Sequence, residues 1–218
     1  MTEQETAELR DPHALAYDAA EVECYGLIRA ADDPDRLAEA ITDALHSLQQ
    51  RYPGQTDEDL RTYLGGALVH KSSVFLYFAA EHARQSADGV GKAADDFAAA
   101  EPLVLGLAQL AEQTHPDAAP VQHDAYRRAL ALFHFALTEQ SEENPLSRRY
   151  RIHWLSIQRL HGPDARHALL NAFATAGRDL AVFAAIIRGI TLEELLQGQQ
   201  MQAMETIEWE RNEDAYLY

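Results

Sequence analysis

The chain has 218 residues, of which 47% are apolar and 24% are charged, and its formal net charge is −17. This length and composition are typical of a globular protein with one sizeable core, and they exclude a disordered chain. The longest apolar runs, such as residues 181–187, are far shorter than the roughly 20 residues of a membrane helix, and residues 1–11 lack the pattern of a signal peptide. We therefore expect a cytoplasmic protein without a membrane segment.

Helix signals follow one another through the first half of the chain, and no sustained strand-like alternation interrupts them. Asp33 is a good N-cap before a proline, and Thr56 with Asp59 forms a capping-box pattern. The adjacent Gly65 and Gly66 predict either a kink or a close approach of another backbone. The predicted helices here are residues 12–31, 34–52 and 56–88.

The second half of the chain is divided by prolines and glycines. Pro102 is the predicted start of a helix, and Gly162 with Pro163 marks a stop and a restart. Thr191 and Glu194 form a capping box that opens the last helix, whose periodicity fades after residue 208. The predicted helices here are residues 102–114, 121–140, 145–161, 163–176, 178–188 and 191–208.

These segments predict an all-α protein of eight or nine helices, arranged as an irregular bundle or a helical-hairpin array. No fixed period or alignable signature supports a true repeat protein. We expect a flexible acidic tail over residues 1–11, one helical domain over residues 12–210 and an acidic, aromatic tail over residues 211–218. The two prolines in residues 115–120 mark a possible sub-boundary within the domain.

Charge is unevenly distributed along the chain. Residues 1–118 hold 8 basic and 22 acidic side chains, residues 119–190 hold 9 and 6, and residues 191–218 hold 1 and 7. The acidity has three possible meanings: a solvated or salt-adapted surface, a docking face for a basic partner, or mimicry of a nucleic-acid backbone. The mildly basic middle section predicts a specific charged contact, either within the fold or between molecules. The overall acidity opposes non-specific binding to nucleic acid or anionic membranes.

One basic, aromatic run is a candidate partner-binding segment. It consists of Arg148, Arg149, Tyr150, Arg151, Ile152, His153 and Trp154. Arginine binds phosphate and aromatic rings stack on bases, so this run is the one place where we expect nucleic acid to be able to bind. The alternative is that Ile152 and Trp154 face the core while the arginines pair with Glu142, Glu143 or the acidic N-terminal half.

Ten histidines raise the question of a metal site. Three carboxylate-x-x-His pairs occur, and residues three apart share a helix face. They are Asp43 with His46, Glu112 with His115, and Asp164 with His167. A di-iron bundle needs two Glu-x-x-His helices and two further glutamates. Since only one pair has that chemistry, we expect no metal or other cofactor. If a metal is bound, the candidate ligands are Asp43, His46, Glu112 and His115.

The single cysteine, Cys24, is flanked by Glu23 and lies close to Glu21. Nearby carboxylates raise the pKa of a thiol, which disfavours a reactive nucleophile. We expect a packed cysteine without a catalytic role.

These observations favour a non-enzymatic helical interaction module, such as an adaptor or an accessory subunit, which binds another protein or a second copy of itself. The predicted contact residues are Arg148, Arg149 and Arg151 for an acidic partner, and Met201, Met204, Ile207 and Trp209 for apolar docking. Methionine-rich faces adapt well to partners, although these side chains could equally pack on the core. The alternative function is a helical-bundle enzyme or sensor with a metal, haem or small ligand in its core.

Overall fold

The computed structural model describes residues 11–86, 96–137 and 145–216, with side chains described for residues 11–85, 98–137 and 149–208. Within these ranges the chain forms eight helices and no strand, which confirms the predicted all-α fold. The helices are α1 (Pro12–Ala30), α2 (Pro34–Arg51), α3 (Asp57–Ser86), α4 (Asp96–Thr114), α5 (Pro120–Ala136), α6 (Pro145–His161), α7 (Ala165–Arg188) and α8 (Leu192–Tyr216).

Local hydrogen bonds set the helix starts that the sequence predicted. Asp33 accepts hydrogen bonds from two backbone N–H groups in the first turn of α2. Thr56 and Asp59 form the capping box of α3, since each side chain accepts a bond from the other residue's backbone N–H at 3.1 Å. Thr191 and Glu194 form the corresponding box before α8, with distances of 2.8 and 3.1 Å. These bonds satisfy backbone donors that a helix start leaves free.

The helix boundaries predicted at Gly177 and Pro102 differ from those in the structure. The predicted break between residues 176 and 178 is wrong, because α7 continues through Gly177. A Cβ atom at Gly177 would lie 3.3 Å from Cβ of Ser72 and closer to its hydroxyl, so the glycine allows close packing of α3 on α7. Pro102 lies inside α4 and does not begin it. Its ring is exposed, while Ala100 and Val104 on either side of it are buried.

The pairing of side chains gives the direction of the helices around α7. Glu58 contacts Arg166 and Ser72 lies beside Gly177, so α3 and α7 run in the same sense. Contacts of His13 with Tyr63 and of Glu21 with His70 give α1 that same sense.

Two other helices run in the opposite sense. Tyr150 contacts Phe173, while Arg166 bonds Gln158, so α6 opposes α7. Arg29 bonds Glu193, while Gln200 bonds the carbonyl of Val22, so α8 opposes α1. It follows that α6 and α8 are oriented alike within one molecule.

Helix α7 is, together with α3, a central element of the core. It packs against α1, α3, α5, α6 and α8. Of the described helices, only α7 has the length and hydropathy of a membrane span, and 56% of that stretch is buried inside the fold. A core helix of a globular protein has the same properties. The absence of a membrane segment therefore stays a prediction.

The predicted tails and sub-boundary fall at the edges of this description. Residues 1–10 and 217–218 lie outside the described residues, and α8 continues to Tyr216 through most of the predicted C-terminal tail. Residues 115–119 connect α4 to α5. Arg127 pairs with Glu112 across this connection, and α5 packs on α3 and α7. A sub-boundary there stays a prediction.

Candidate functional site

The inner face of α6 is aromatic and buried. The ring of Tyr150 stacks on that of Trp154 with centroids 5.7 Å apart, and it also meets Phe173 of α7 at 5.7 Å. Ile157, one turn further on, is fully buried. The spacing of these residues is that of a helix with one apolar face towards the core. The predicted core position of Trp154 is therefore confirmed.

The outer face of α6 combines exposed apolar and basic side chains. Ile152 is 55% exposed and Leu155 is 50% exposed, with the exposed Arg151 and Arg159 on either side of them. The prediction that Ile152 faces the core is wrong, because two residues after Tyr150 the helix has turned by about 200°. Arg148 shares this outer face by its position in the helix, although its side chain lies outside the described set. We call this face the α6 stripe: Arg148, Arg151, Ile152, Leu155 and Arg159.

Most other cations of the basic middle section are used within the molecule. Arg166 pairs with Glu58 at 3.2 Å, Arg178 with Asp32 at 3.6 Å, and Arg128 with Asp124 at 3.0 Å. The first two join the basic section to the acidic N-terminal half, so the intramolecular part of the predicted charged contact is present.

The described arginines of α6 do not form such ion pairs with the described residues. Arg149 places its guanidinium over the ring of Phe135, 3.5 Å from the centroid. Arg151 and Arg159 make no hydrogen bond or ion pair with any residue that the structure describes. Glu142 and Glu143, the other predicted partners, lie outside the described ranges.

Helix α8 carries the second group of predicted contact residues. Met201 is 54% exposed and Met204 is 47% exposed, as docking requires. Ile207 is buried with Ala203 on the opposite face, so its prediction as a docking residue is corrected: it packs inward. The side chain of Trp209 lies outside the described set. The exposed face, which we call the α8 stripe, consists of Gln197, Met201, Met204, Glu205 and Glu208.

The carboxylate-histidine pairs are not brought together. Asp43 lines an open groove between α1 and α2, and His46 faces another cleft and bonds Gln50. Glu112 pairs with Arg127, and His115 follows the end of α4. In the part of the chain that the structure describes, no three His, Cys, Asp or Glu side chains are grouped so that they could hold a metal ion.

A cleft of about 460 Å³ separates α2 from α7 and has the start of α3 at one side. His46 and His167, which belong to two different predicted pairs, both line it. Arg61 is held by Asp57 at 2.7 Å on its rim. The cleft is open to solvent and mixed in polarity, so it offers a small polar ligand a surface but no enclosure.

A half-buried charge cluster between α1 and α3 was missed by sequence reasoning. Glu21 accepts hydrogen bonds from His70 at 2.9 Å and from Lys71 at 2.8 Å. Burial raises the pKa of Glu21, but the bond from His70 and the charge of Lys71 outweigh it and lower that pKa below its usual value. The available signal was that Lys71, one of only two lysines, follows a run of apolar residues.

Cys24 lies beside this cluster and is fully buried. Its thiol donates to the carbonyl of Glu21 at 3.1 Å. Burial raises the pKa of the Cys24 thiol, and the carboxylates of Glu21 and Glu23 add to this against the opposing charge of Lys71. The predicted packed position of Cys24 is confirmed, and this environment disfavours the thiolate that a nucleophile requires.

Comparisons with known proteins give this chain no relative: no protein-family model matches it, and no curated protein or solved structure is significantly similar. The functional hypothesis is therefore based on the α6 and α8 stripes, the charge pairing and the cleft.

Proposed function

We propose that this protein is a non-enzymatic helical interaction module that binds an acidic, amphipathic helical segment through the α6 stripe. The observation that supports this most directly is the combination of Ile152 and Leu155, both about half exposed, with Arg151 and Arg159, which have no ion-pair partner among the described residues. Several arginines elsewhere in this section pair with carboxylates of the same molecule. A cation left unpaired beside exposed apolar side chains is available to a partner.

The two kinds of side chain make different contributions to binding. Burying the exposed halves of Ile152 and Leu155 stabilises a complex by about 1 kcal/mol for each residue. Arginine pairs at the rim add less affinity, but they steer association and reject basic partners. Arginine is also enriched in the protein interfaces that have been surveyed. This division favours a partner helix with an apolar stripe and flanking carboxylates.

The structure gives little support to nucleic acid as the ligand of this run. Stacking on bases requires accessible rings, whereas Tyr150 and Trp154 are both buried against the core. Arg149 already lies over Phe135. Arg151 and Arg159, on a chain of net charge −17, provide only weak attraction for a phosphate backbone.

The second candidate function, an enzyme or sensor with a metal, haem or small ligand, is supported by the open cleft that His46 and His167 line. Elemental analysis of purified protein tests its metal form. One equivalent of iron, manganese or zinc, lost in a His46→Ala/His167→Ala variant, would support this function over an interaction module.

We propose a cytoplasmic location for either function.

Photo-crosslinking in cells tests the proposed interaction. A photoreactive amino acid replaces Leu155 in one variant and Leu110 of α4 in a control, because these leucines are 50% and 53% exposed. We expect a discrete adduct from position 155 that disappears with Arg151→Glu/Arg159→Glu, and none from position 110. Mass spectrometry identifies the adduct. Equal labelling at both positions, or no adduct at position 155, would contradict the proposal.

A further inference from the structure

The α6 and α8 stripes have the same spacing of residues when one of them is read backwards. In α6 the stripe residues lie 3, 4, 7 and 11 positions after Arg148, and in α8 they lie 3, 4, 7 and 11 positions before Glu208. Each stripe therefore extends about 16 Å along its helix. Antiparallel alignment of two such helices places the stripes side by side over their whole length.

This alignment also matches the chemistry of the residues. It brings together Arg148 with Glu208, Arg151 with Glu205, Ile152 with Met204, Leu155 with Met201, and Arg159 with Gln197. Two apolar pairs lie in the middle, two opposite-charge pairs lie at one end, and an arginine meets an amide at the other. In the parallel alignment only one opposite-charge pair remains, Arg159 with Glu208, since Arg148 then meets Gln197 and Arg151 meets Met201.

We propose that the α6 stripe binds the α8 stripe of a second copy of this chain. This inference rests on the proposed function, since it names the partner of the same surface. The α8 residues meet the chemistry required of that partner: Met201 and Met204 are about half exposed, and Glu205 and Glu208 are exposed. Neither glutamate makes a hydrogen bond or ion pair with the residues that the structure describes.

The directions of the helices permit a closed dimer. Because α6 and α8 run in the same sense within one molecule, a two-fold axis perpendicular to them sets α6 of one protomer antiparallel to α8 of its partner. Such an axis repeats the contact, so that both pairs of stripes are buried in one isologous interface. The central methionines can adapt their unbranched side chains to the β-branched Ile152 opposite them.

Two single charge reversals and their mixture test this inference on the full-length chain. Size-exclusion chromatography with light scattering, over a concentration series, should show a mass rising towards that of two chains. Arg151→Glu and Glu205→Arg each set like charges against each other in both contacts of the dimer. Each variant alone should raise the dissociation constant at least about tenfold.

The equimolar mixture of these two variants is the decisive sample. In the mixed dimer, Glu at position 151 faces Arg at position 205, and the second contact keeps the native Arg151 and Glu205. Dimerisation should therefore return when the variants are mixed. Arg36→Glu, an exposed arginine of α2, is the matched control and should leave the dimer unchanged. Circular dichroism verifies that each variant is folded.

Two results would overturn the inference: a chain that stays monomeric throughout the series, or a dimer that neither reversal weakens. A mixture that fails to dimerise while each reversal weakens the dimer would also overturn this pairing of the stripes. These outcomes are separate from the proposed function, which the adduct at position 155 tests in cells. An adduct with another protein, together with a monomeric purified chain, would leave the proposed function standing and remove only the second copy as partner.

Discussion

The side chain of Tyr150 on α6 ends against the backbone of Gly65 on α3. A Cβ atom at Gly65 would lie 2.8 Å from Cζ of Tyr150 and nearer still to its hydroxyl. That hydroxyl is buried and has no hydrogen-bond partner among the residues that the structure describes. The glycine pair was predicted to kink the helix or to allow another backbone to approach, whereas at Gly65 the neighbour is a side chain, that of Tyr150.

This contact predicts opposite effects for two conservative substitutions. Gly65→Ala should destabilise the protein by about 2–3 kcal/mol, because the new methyl group overlaps a ring that is held between Trp154 and Phe173. Tyr150→Phe should leave stability unchanged or raise it by about 1 kcal/mol, since it removes an unpaired buried hydroxyl. Urea unfolding measures both free energies.

The double variant Gly65→Ala/Tyr150→Phe checks that the two effects share one cause. The methyl group then occupies part of the space that the hydroxyl leaves, so the loss should be clearly smaller than for Gly65→Ala alone. Purely additive free energies would show that the methyl group is not opposed by this tyrosine.

The half-buried pair of Glu21 and Lys71 should be sensitive to the loss of one partner. Glu21→Gln leaves the ammonium of Lys71, which is 14% exposed, without its counter-charge, and we expect a loss of about 2–3 kcal/mol. Glu21→Gln/Lys71→Met should recover part of that loss. Arg36→Gln, which breaks an exposed pair with Asp32, is the control and should cost less than about 1 kcal/mol. Equal losses in the buried and exposed pairs would contradict this assignment.

His153 should make stability depend on pH below neutrality. Burial, together with the charges of Arg128 and Arg149, lowers the pKa of His153 below the usual histidine value, against the opposing charge of Asp124. The unfolded chain therefore binds this proton at a higher pH than the folded chain does. Stability should fall as the pH drops from the usual histidine pKa towards the lowered one.

The variant His153→Gln isolates this effect. Its free energy of unfolding should decline less than that of the parent between pH 7 and pH 5, because it lacks the group that protonates on unfolding. Chemical denaturation at a series of pH values gives the comparison. Parallel pH profiles for the two proteins would show that His153 does not titrate in this way.

The buried Cys24 should be unreactive in the folded protein. Its side chain is fully buried and its thiol pKa is raised, so a thiol-specific chromogenic reagent should react at least about a hundredfold faster after unfolding. A Leu155→Cys variant places a second thiol at an exposed site. It should show one thiol that is labelled rapidly and one that is labelled slowly. Rapid labelling of the native parent would mean that α1 opens readily.

Sequence reasoning succeeded where the deciding interactions are local. The bonds of Asp33, of Thr56 with Asp59, and of Thr191 with Glu194 connect residues within three positions of each other, so the pattern itself specifies these helix starts. The same applies to the inward face of α6, where helical spacing alone places Trp154 beside Tyr150.

It failed where a distant residue decides. Gly177 predicts a helix break by its local sequence alone. The contact that explains this glycine is with Ser72, more than a hundred positions earlier. Ile152 was predicted to face the core, but the packing of Tyr150 on Phe173 of α7 fixes the rotation of α6 and turns Ile152 outward. The bonds that Glu21 accepts from His70 and Lys71 depend on how α1 packs on α3, and a local sequence pattern does not predict that packing.

The central position of α7 also affects how the chain is made. Helices α1 and α3 bury apolar side chains against α7, yet 78 residues separate the end of α3 at Ser86 from the start of α7 at Ala165. At roughly 5–20 residues per second, a ribosome needs about 4–16 seconds to synthesise that interval. During this time the face of α3 that packs on α7 stays uncovered, so the emerging chain should rely on chaperones until its last quarter has left the ribosome.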